Sequence, residues 1–110
     1  MKLVKSIVRP DKVDDVREAL EKLKLAGMTV TDVRGHGRQK GHTAVYRGKE
    51  YSVTLLPKVE IEVVVPDNVV DEVIQAVIKA ARTGEIGDGR VFVMPVEQSY
   101  KIRTGERDID

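Results

Sequence analysis

Twice along this chain a short run rich in β-branched residues is followed by an apolar stripe of helical period and then by a second such run, a pattern that leaves few folds open. Leu3-Val4-Lys5-Ser6-Ile7-Val8, ending at Arg9-Pro10, reads as a first strand. Asp11 is placed to cap a helix, and Val13, Val16, Leu20 and Leu23 recur at three- and four-residue spacing. That helix is expected to end near Ala26-Gly27, with glycine supplying the left-handed cap. Residues 28–34 alternate, with Met28, Val30 and Val33 apolar, and predict a second strand closed by Gly35. The second half repeats the scheme. Val59, Ile61, Val63 and Val65 alternate with Lys58, Glu60 and Glu62, and Pro66 closes that strand. Asp67 is the next candidate cap, for a helix whose stripe is Val70, Val73, Ile74, Val77, Ile78 and Ala81, ending near Thr83-Gly84. A tight glycine loop at 86–90 leads to a fourth strand over 91–96, and 100–103 reads as a short edge strand before a polar tail.

Strand, helix, strand, strand, helix, strand is the order of a ferredoxin-like α+β sandwich, βαββαβ, an antiparallel sheet with both helices on one face. A chain of 110 residues fits one such domain. The uncovered sheet face would be rich in valine and isoleucine, with Phe92 its one phenylalanine. Single-stranded nucleic acid needs stacking aromatics on such a face, so an interface between copies of the chain is the better expectation. Charge agrees: 19 Lys and Arg against 18 Asp and Glu leave a net +1, no global attraction for nucleic acid. Without cysteine there is no disulfide, thiolate metal site or thiol nucleophile. No apolar run approaches the ~20 residues that span a bilayer, which makes a cytoplasmic protein the expectation.

Between the second and third strands lies a stretch, Gly35 to Pro57, that is too long for an ordinary hairpin. It holds four of the nine glycines, both histidines, and Arg38, Lys40, Arg47 and Lys49 against the single acid Glu50. Poor in apolar residues near its start, it is expected to project and meet a partner.

Three places have chemistry suited to a polyanion. Gly87-Asp88-Gly89-Arg90 offers backbone N–H groups and a guanidinium; Gly35-His36-Gly37-Arg38-Gln39 is a second cationic glycine-rich turn; Lys101 and Arg103 would share one face of an extended strand. Each alone is as well explained by a turn or a solvated edge, but together they point to nucleotide phosphates. His36 and His42 lack a third ligand at metal-site spacing. Glu60 and Glu62 share a side of their strand, as a polar face would, and Glu62 is also placed to accept from a ribose hydroxyl. No nucleophile and base stand at convincing spacing, so a small ferredoxin-like nucleotide-dependent enzyme is the alternative rather than the main reading.

These strings match a known family. Gly-Met-Thr-Val-Thr at 27–31, Gly-Arg-Gln-Lys-Gly-His at 37–42, Tyr-Arg-Gly-Lys-Glu-Tyr at 46–51, Leu-Pro-Lys-Val at 56–59, Thr-Gly-Glu-Ile-Gly-Asp-Gly-Arg at 83–90 and Ile-Arg-Thr-Gly-Glu at 102–106 stand in one order. From end to end the chain resembles the PII signal-transduction proteins, the GlnB/GlnK-like nitrogen regulators. The resemblance implies a single domain over 1–110 with a T-loop at about 37–55, a B-loop at about 82–90 and a C-terminal loop at about 98–110. It implies a cytoplasmic homotrimer that senses ATP or ADP together with 2-oxoglutarate, and it implies no enzymatic activity.

The residues so implicated in phosphate contacts are Arg38, Gly87, Gly89, Arg90, Lys101 and Arg103, with Thr29, Gly35, Glu62 and Val64 at base and ribose and Gly37 and Asp88 also in the cofactor site. Mg2+ held by the ATP phosphates and Gln39 would bind 2-oxoglutarate, with Lys58 nearby. Tyr51 matches a tyrosine that is uridylylated in some members, and Arg47 matches an arginine that blocks an ammonium channel. The implied target is thus an ammonium transporter or the regulation of glutamine synthetase, reached through Arg47 and Tyr51. Here Lys49 and Glu60 depart from the usual pattern, and Arg90 and Lys101 exchange the more usual lysine and arginine.

Overall fold

In the computed structural model the sheet is built around β1 (Lys2–Val8), whose alternation puts Val4, Ser6 and Val8 on one side, all buried. The structure describes residues 1–36, 43–46, 49–52 and 55–108, with 43–46 and 49–52 described through backbone pairing alone. Four strands form an antiparallel sheet in the order β2 (Thr29–His36), β5 (Leu55–Val65), β1, β6 (Gly89–Pro95). Helices α1 (Val13–Glu21) and α2 (Val70–Ala81) cover one face. This is the ferredoxin-like α+β arrangement that the periodicity predicts.

Register explains the core. Val4 lies opposite Val63, Ser6 opposite Ile61 and Val8 opposite Val59, so these residues share the helix side of the sheet. Val16 and Leu20 of α1 and Val73, Val77 and Ala81 of α2 close onto them. Each buried valine, leucine or isoleucine side chain among them contributes roughly 1.5–3 kcal/mol through removal from water. Among the described residues no buried side-chain polar atom lacks a partner, Ser6 included.

Among the described residues nothing covers the opposite face. Val64, Leu3 and Met94 stand in one row across β5, β1 and β6, followed by Glu62, Lys5 and Phe92, then Glu60, Ile7 and Arg90. Val64, Phe92 and Met94 remain 42%, 43% and 36% exposed. Lys5 Nζ lies 3.5 Å from Glu60 Oε1 within this mixed face.

Several local expectations are corrected. Neither aspartate caps its helix through its side chain. Pro10 and Pro66 start a 3-10 helical turn, at Pro10–Lys12 and Asp67–Val69, one turn ahead of each α-helix. The Asp67 carboxylate instead accepts from the Met1 ammonium at 2.7 Å and Lys2 Nζ at 3.0 Å, charged donors that outcompete a neutral backbone N–H. Helix α1 stops at Glu21, and the residue at positive φ is Lys24 (+55°) rather than Gly27. The expected edge strand at 100–103 is a folded loop. Tyr100 bridges to Arg107, the Lys101 N–H donates to the Glu106 carbonyl at 2.9 Å, and Ser99 Oγ to Asp108 Oδ2 at 2.7 Å. Gly105 at φ +72° permits that turn, so Lys101 and Arg103 do not share a strand face.

The long stretch also differs from the expectation that it is too long for a hairpin. Its flanking strands pair directly, down to His36 opposite Leu55. Within it, β3 (Thr43–Tyr46) and β4 (Lys49–Ser52) form a separate antiparallel ribbon with Tyr46 opposite Lys49. Two residues, Arg47-Gly48, connect them, a linker length typical of tight hairpins.

Candidate functional site

Helix α2 ends at Ala81, Arg82 turns extended at ψ 129°, and residues 83–88 wrap back to β6. Gly84, Gly87 and Gly89 take φ of +89°, +100° and +109°, values that residues with a Cβ rarely adopt. Gly89 has a second reason to be glycine: a Cβ there would lie 1.7 Å from the Ile7 carbonyl oxygen, because β6 begins pressed against β1.

Asp88 ties this loop together from inside. Its Oδ2 accepts from the backbone N–H of Thr83 at 2.8 Å and of Gly84 at 2.9 Å. Its Oδ1 accepts from the Thr83 hydroxyl and from Arg9 Nε, the latter at 3.1 Å. The Thr83 hydroxyl foremost, then those N–H groups and Arg9, hold the Asp88 carboxyl far below the usual carboxylate range. Arg9 Nη2 also donates to the Ile86 carbonyl at 2.9 Å, and Lys58 Nζ to the Gly87 carbonyl at 2.6 Å. Lys58 is 9% exposed, and burial first, then repulsion from Arg9, push its ammonium below the ordinary lysine range.

The sequence-derived site residues fall into two groups. Gly35, Lys58, Gly87, Asp88, Gly89 and Arg90 meet around one cleft of about 640 Å³, closed on its floor by Ile7 and Phe92. Thr29, Glu62 and Val64 line another cleft, of about 690 Å³, beside Ser99 and Asp108 of the C-terminal loop. Glu62 is four residues along β5 from Lys58, so the two groups are ~13 Å apart on the same sheet. Lys101 and Arg103 are exposed on that C-terminal loop. Gly37, Arg38, Gln39, His42 and Arg47 lie outside the described residues, while Tyr51 is in β4 opposite Ala44. His36 is exposed at the end of β2, and Glu60 faces Lys5 on the uncovered sheet face.

The Asp88 carboxylate accepts four times from the protein's own donors, so a ligand contact at this residue falls to its backbone N–H. Arg9 and Thr83 were not singled out from sequence. Arg9 is 79 residues from Asp88, and no spacing rule links positions that far apart. Chemically, the first cleft gathers cations and a glycine turn at the end of a sheet, next to the strand that leads into the long stretch. That combination suits an anion and offers no paired nucleophile and base.

The chain is similar to known proteins along nearly its whole length. A family model described as Nitrogen regulatory protein P-II matches residues 1–106. The Nitrogen regulatory protein P-II of Haemophilus influenzae is 56% identical over 110 residues, covering 100% of this chain and 98% of the relative. The Nitrogen regulatory protein P-II 1 of Escherichia coli is 56% identical over 108 residues, covering 98% of this chain and 96% of the relative. The Nitrogen regulatory protein P-II of Pasteurella multocida is 56% identical over 110 residues, covering 100% of this chain and 98% of the relative. Among the described residues no helix is long and apolar enough to cross a membrane. Matched along nearly its whole length, the chain belongs to the nitrogen regulatory protein P-II family, regulatory signal-transduction proteins rather than enzymes.

Proposed function

We propose that this chain reports energy and carbon status to nitrogen metabolism by binding ATP or ADP at the glycine-loop cleft, and 2-oxoglutarate with Mg2+ at Gln39 beside Lys58. The observation that carries the reading is the cleft itself. Positive-φ glycines at 87 and 89, the cations Lys58 and Arg90, and Gly35 at the root of the long stretch stand together, so an anion bound there adjoins the segment that would meet a target. Arg38 and Gly37 would close it from that segment.

The separation of the two residue groups supports a homotrimer. Lys101, Arg103, Thr29, Glu62 and Val64 belong to one end of the sheet and the glycine loop to the other, so one copy's C-terminal end would complete its neighbour's cleft. The uncovered face with Leu3, Val64, Phe92 and Met94 supplies apolar surface for that packing. Light scattering is expected to give a trimer that persists on dilution; a mass near the 12.3 kDa of one chain overturns it.

Output runs through the stretch that holds Arg47 and Tyr51. An ammonium transporter is the target that a long cation on a projecting arm fits best, with glutamine-synthetase regulation as a further output and Tyr51 as a site of modification. Calorimetry tests the sensing step. 2-Oxoglutarate is expected to bind only with Mg-ATP, each ligand tightening the other by the same factor, and Gln39→Ala to abolish that coupling while sparing ADP. Equal 2-oxoglutarate binding to the nucleotide-free protein refutes it. A pull-down on transporter-containing membranes tests the output, with retention favoured by ADP, opposed by Mg-ATP plus 2-oxoglutarate, and lost on deletion of residues 42–52.

A further inference from the structure

The fourfold use of Asp88 raises the question of what keeps its carboxylate turned inward. Oδ2 is occupied by two backbone N–H groups from 83 and 84, and Oδ1 faces Arg9, whose guanidinium forks between that oxygen at 3.1 Å and the Ile86 carbonyl at 2.9 Å. Lys58 takes the next carbonyl, that of Gly87, at 2.6 Å. In a trans peptide the N–H points opposite to the C=O. The chain has no cis peptide bond among its described residues, so drawing the carbonyls of 86 and 87 toward Arg9 and Lys58 turns the N–H groups of Gly87 and Asp88 the other way, side by side. Adjacent N–H groups aimed in one direction make an anion-binding concavity. The same guanidinium offsets the charge of Asp88, which would otherwise repel an anion one residue away.

We propose that Arg9 is the positioning residue of the 83–89 loop, acting through Asp88 and the Ile86 carbonyl to aim the loop's N–H groups at a phosphate-bearing ligand. The inference rests on the nucleotide reading of the cleft, and no contact between Arg9 and the ligand is required. Arg9 stands at the end of β1, a rigid central strand, and is half-buried, so the fork is held from the scaffold rather than from another loop.

The test uses the full chain with Mg-ATP and ADP as probes in calorimetry, on Arg9→Gln, Arg9→Lys, Asp88→Asn and the Arg9→Gln/Asp88→Asn pair. Arg9→Gln is expected to weaken both nucleotides about tenfold, the size of one lost charge-assisted contact. Arg9→Lys should recover part of that loss, since an ammonium keeps the charge but not the fork. In the Asp88→Asn background, removing Arg9 should cost less than about threefold, because its partner has gone. Nucleotide affinity of Arg9→Gln within about threefold of wild type, or an equal loss in both backgrounds, overturns the proposal. Amide hydrogen exchange at Thr83 and Gly84 provides a readout free of nucleotide, with Arg9→Gln expected to speed both at least tenfold. Should the wild type bind neither nucleotide, the nucleotide reading fails by itself. Exchange then decides the clasp, and unchanged protection of those two amides overturns it.

Discussion

Replacing Gly89 by alanine tests how closely the loop is fitted to the strand beside it. Two costs are separable. The backbone at φ +109° is one that a residue with a Cβ adopts only under strain, worth roughly 1–2 kcal/mol. In addition, the new Cβ would lie 1.7 Å from Ile7 O, 2.8 Å from Ile7 C and 3.3 Å from Val8 Cα. Van der Waals contact of carbon with oxygen needs more than 3 Å, so β6 must move from β1 by over ~1 Å at its first rung, where Gly89 lies opposite Val8. Losing a ladder hydrogen bond there adds ~0.5–1.5 kcal/mol, and partial opening of the adjoining apolar contacts brings the total to ~3–5 kcal/mol. Gly84→Ala is the control, because φ is +89° and nothing lies within 4 Å of its added Cβ. It pays the backbone term alone, ~1–2 kcal/mol. Urea unfolding of both variants at one fixed chain concentration, with far-ultraviolet circular dichroism as the probe, measures the difference. If Gly89→Ala is no less stable than Gly84→Ala, the close approach of β6 to β1 is not the constraint on that glycine.

Three further outcomes follow from packing and charge. Leu20→Ala, at a site 1% exposed beneath the sheet, should cost ~2–5 kcal/mol in denaturant unfolding, against a far smaller loss for Arg17→Ala on the outer side of α1. Asp88 is held ionised below the usual carboxylate range, so its folded form binds the proton less tightly than its unfolded form. The stability gap between wild type and Asp88→Asn should therefore be complete above about pH 5, begin to narrow below about pH 4, and close only in stronger acid; a gap that is constant down to pH 2 refutes this. Lys58 has the opposite linkage, since its depressed folded pKa leaves the unfolded chain binding more protons. Wild-type stability relative to Lys58→Met should rise as pH increases from 8 toward 10, and a falling difference would contradict the burial of that ammonium.

The two strand–helix–strand halves were legible because their periods are written in neighbouring residues. Val16 and Leu20, the alternating valines and isoleucine from Val59 to Val65, and Val73 and Val77 are set on one side of their elements by spacing alone, and they fill the core, whereas the inward side of residues 3–8, Val4 and Val8, is fixed only by pairing. Element ends were read less well. Pro10 and Pro66 read as punctuation but begin 3-10 turns, and Asp67 spends its carboxylate on cations from the start of β1, the strand paired beside it. The ribbon at 43–46 and 49–52 has only a faint signal in the sequence, two four-residue runs around Arg47-Gly48, which the basic and glycine-rich composition of the stretch outweighs.

What the sequence by itself determined is the element order, the apolar side of each element and the residue strings that mark the family, all of which depend on spacings of a few residues. Tertiary structure alone decided which of the charged groups meet. Only the sheet order β2-β5-β1-β6 brings Arg9 and Lys58 under the loop at 83–89, and only the reach of β5 sets Glu62 at a different cleft from Lys58. The physical reason is that a backbone period fixes the direction of a side chain within its own element, whereas a pairing such as Arg9 with Asp88 depends on how elements are packed together.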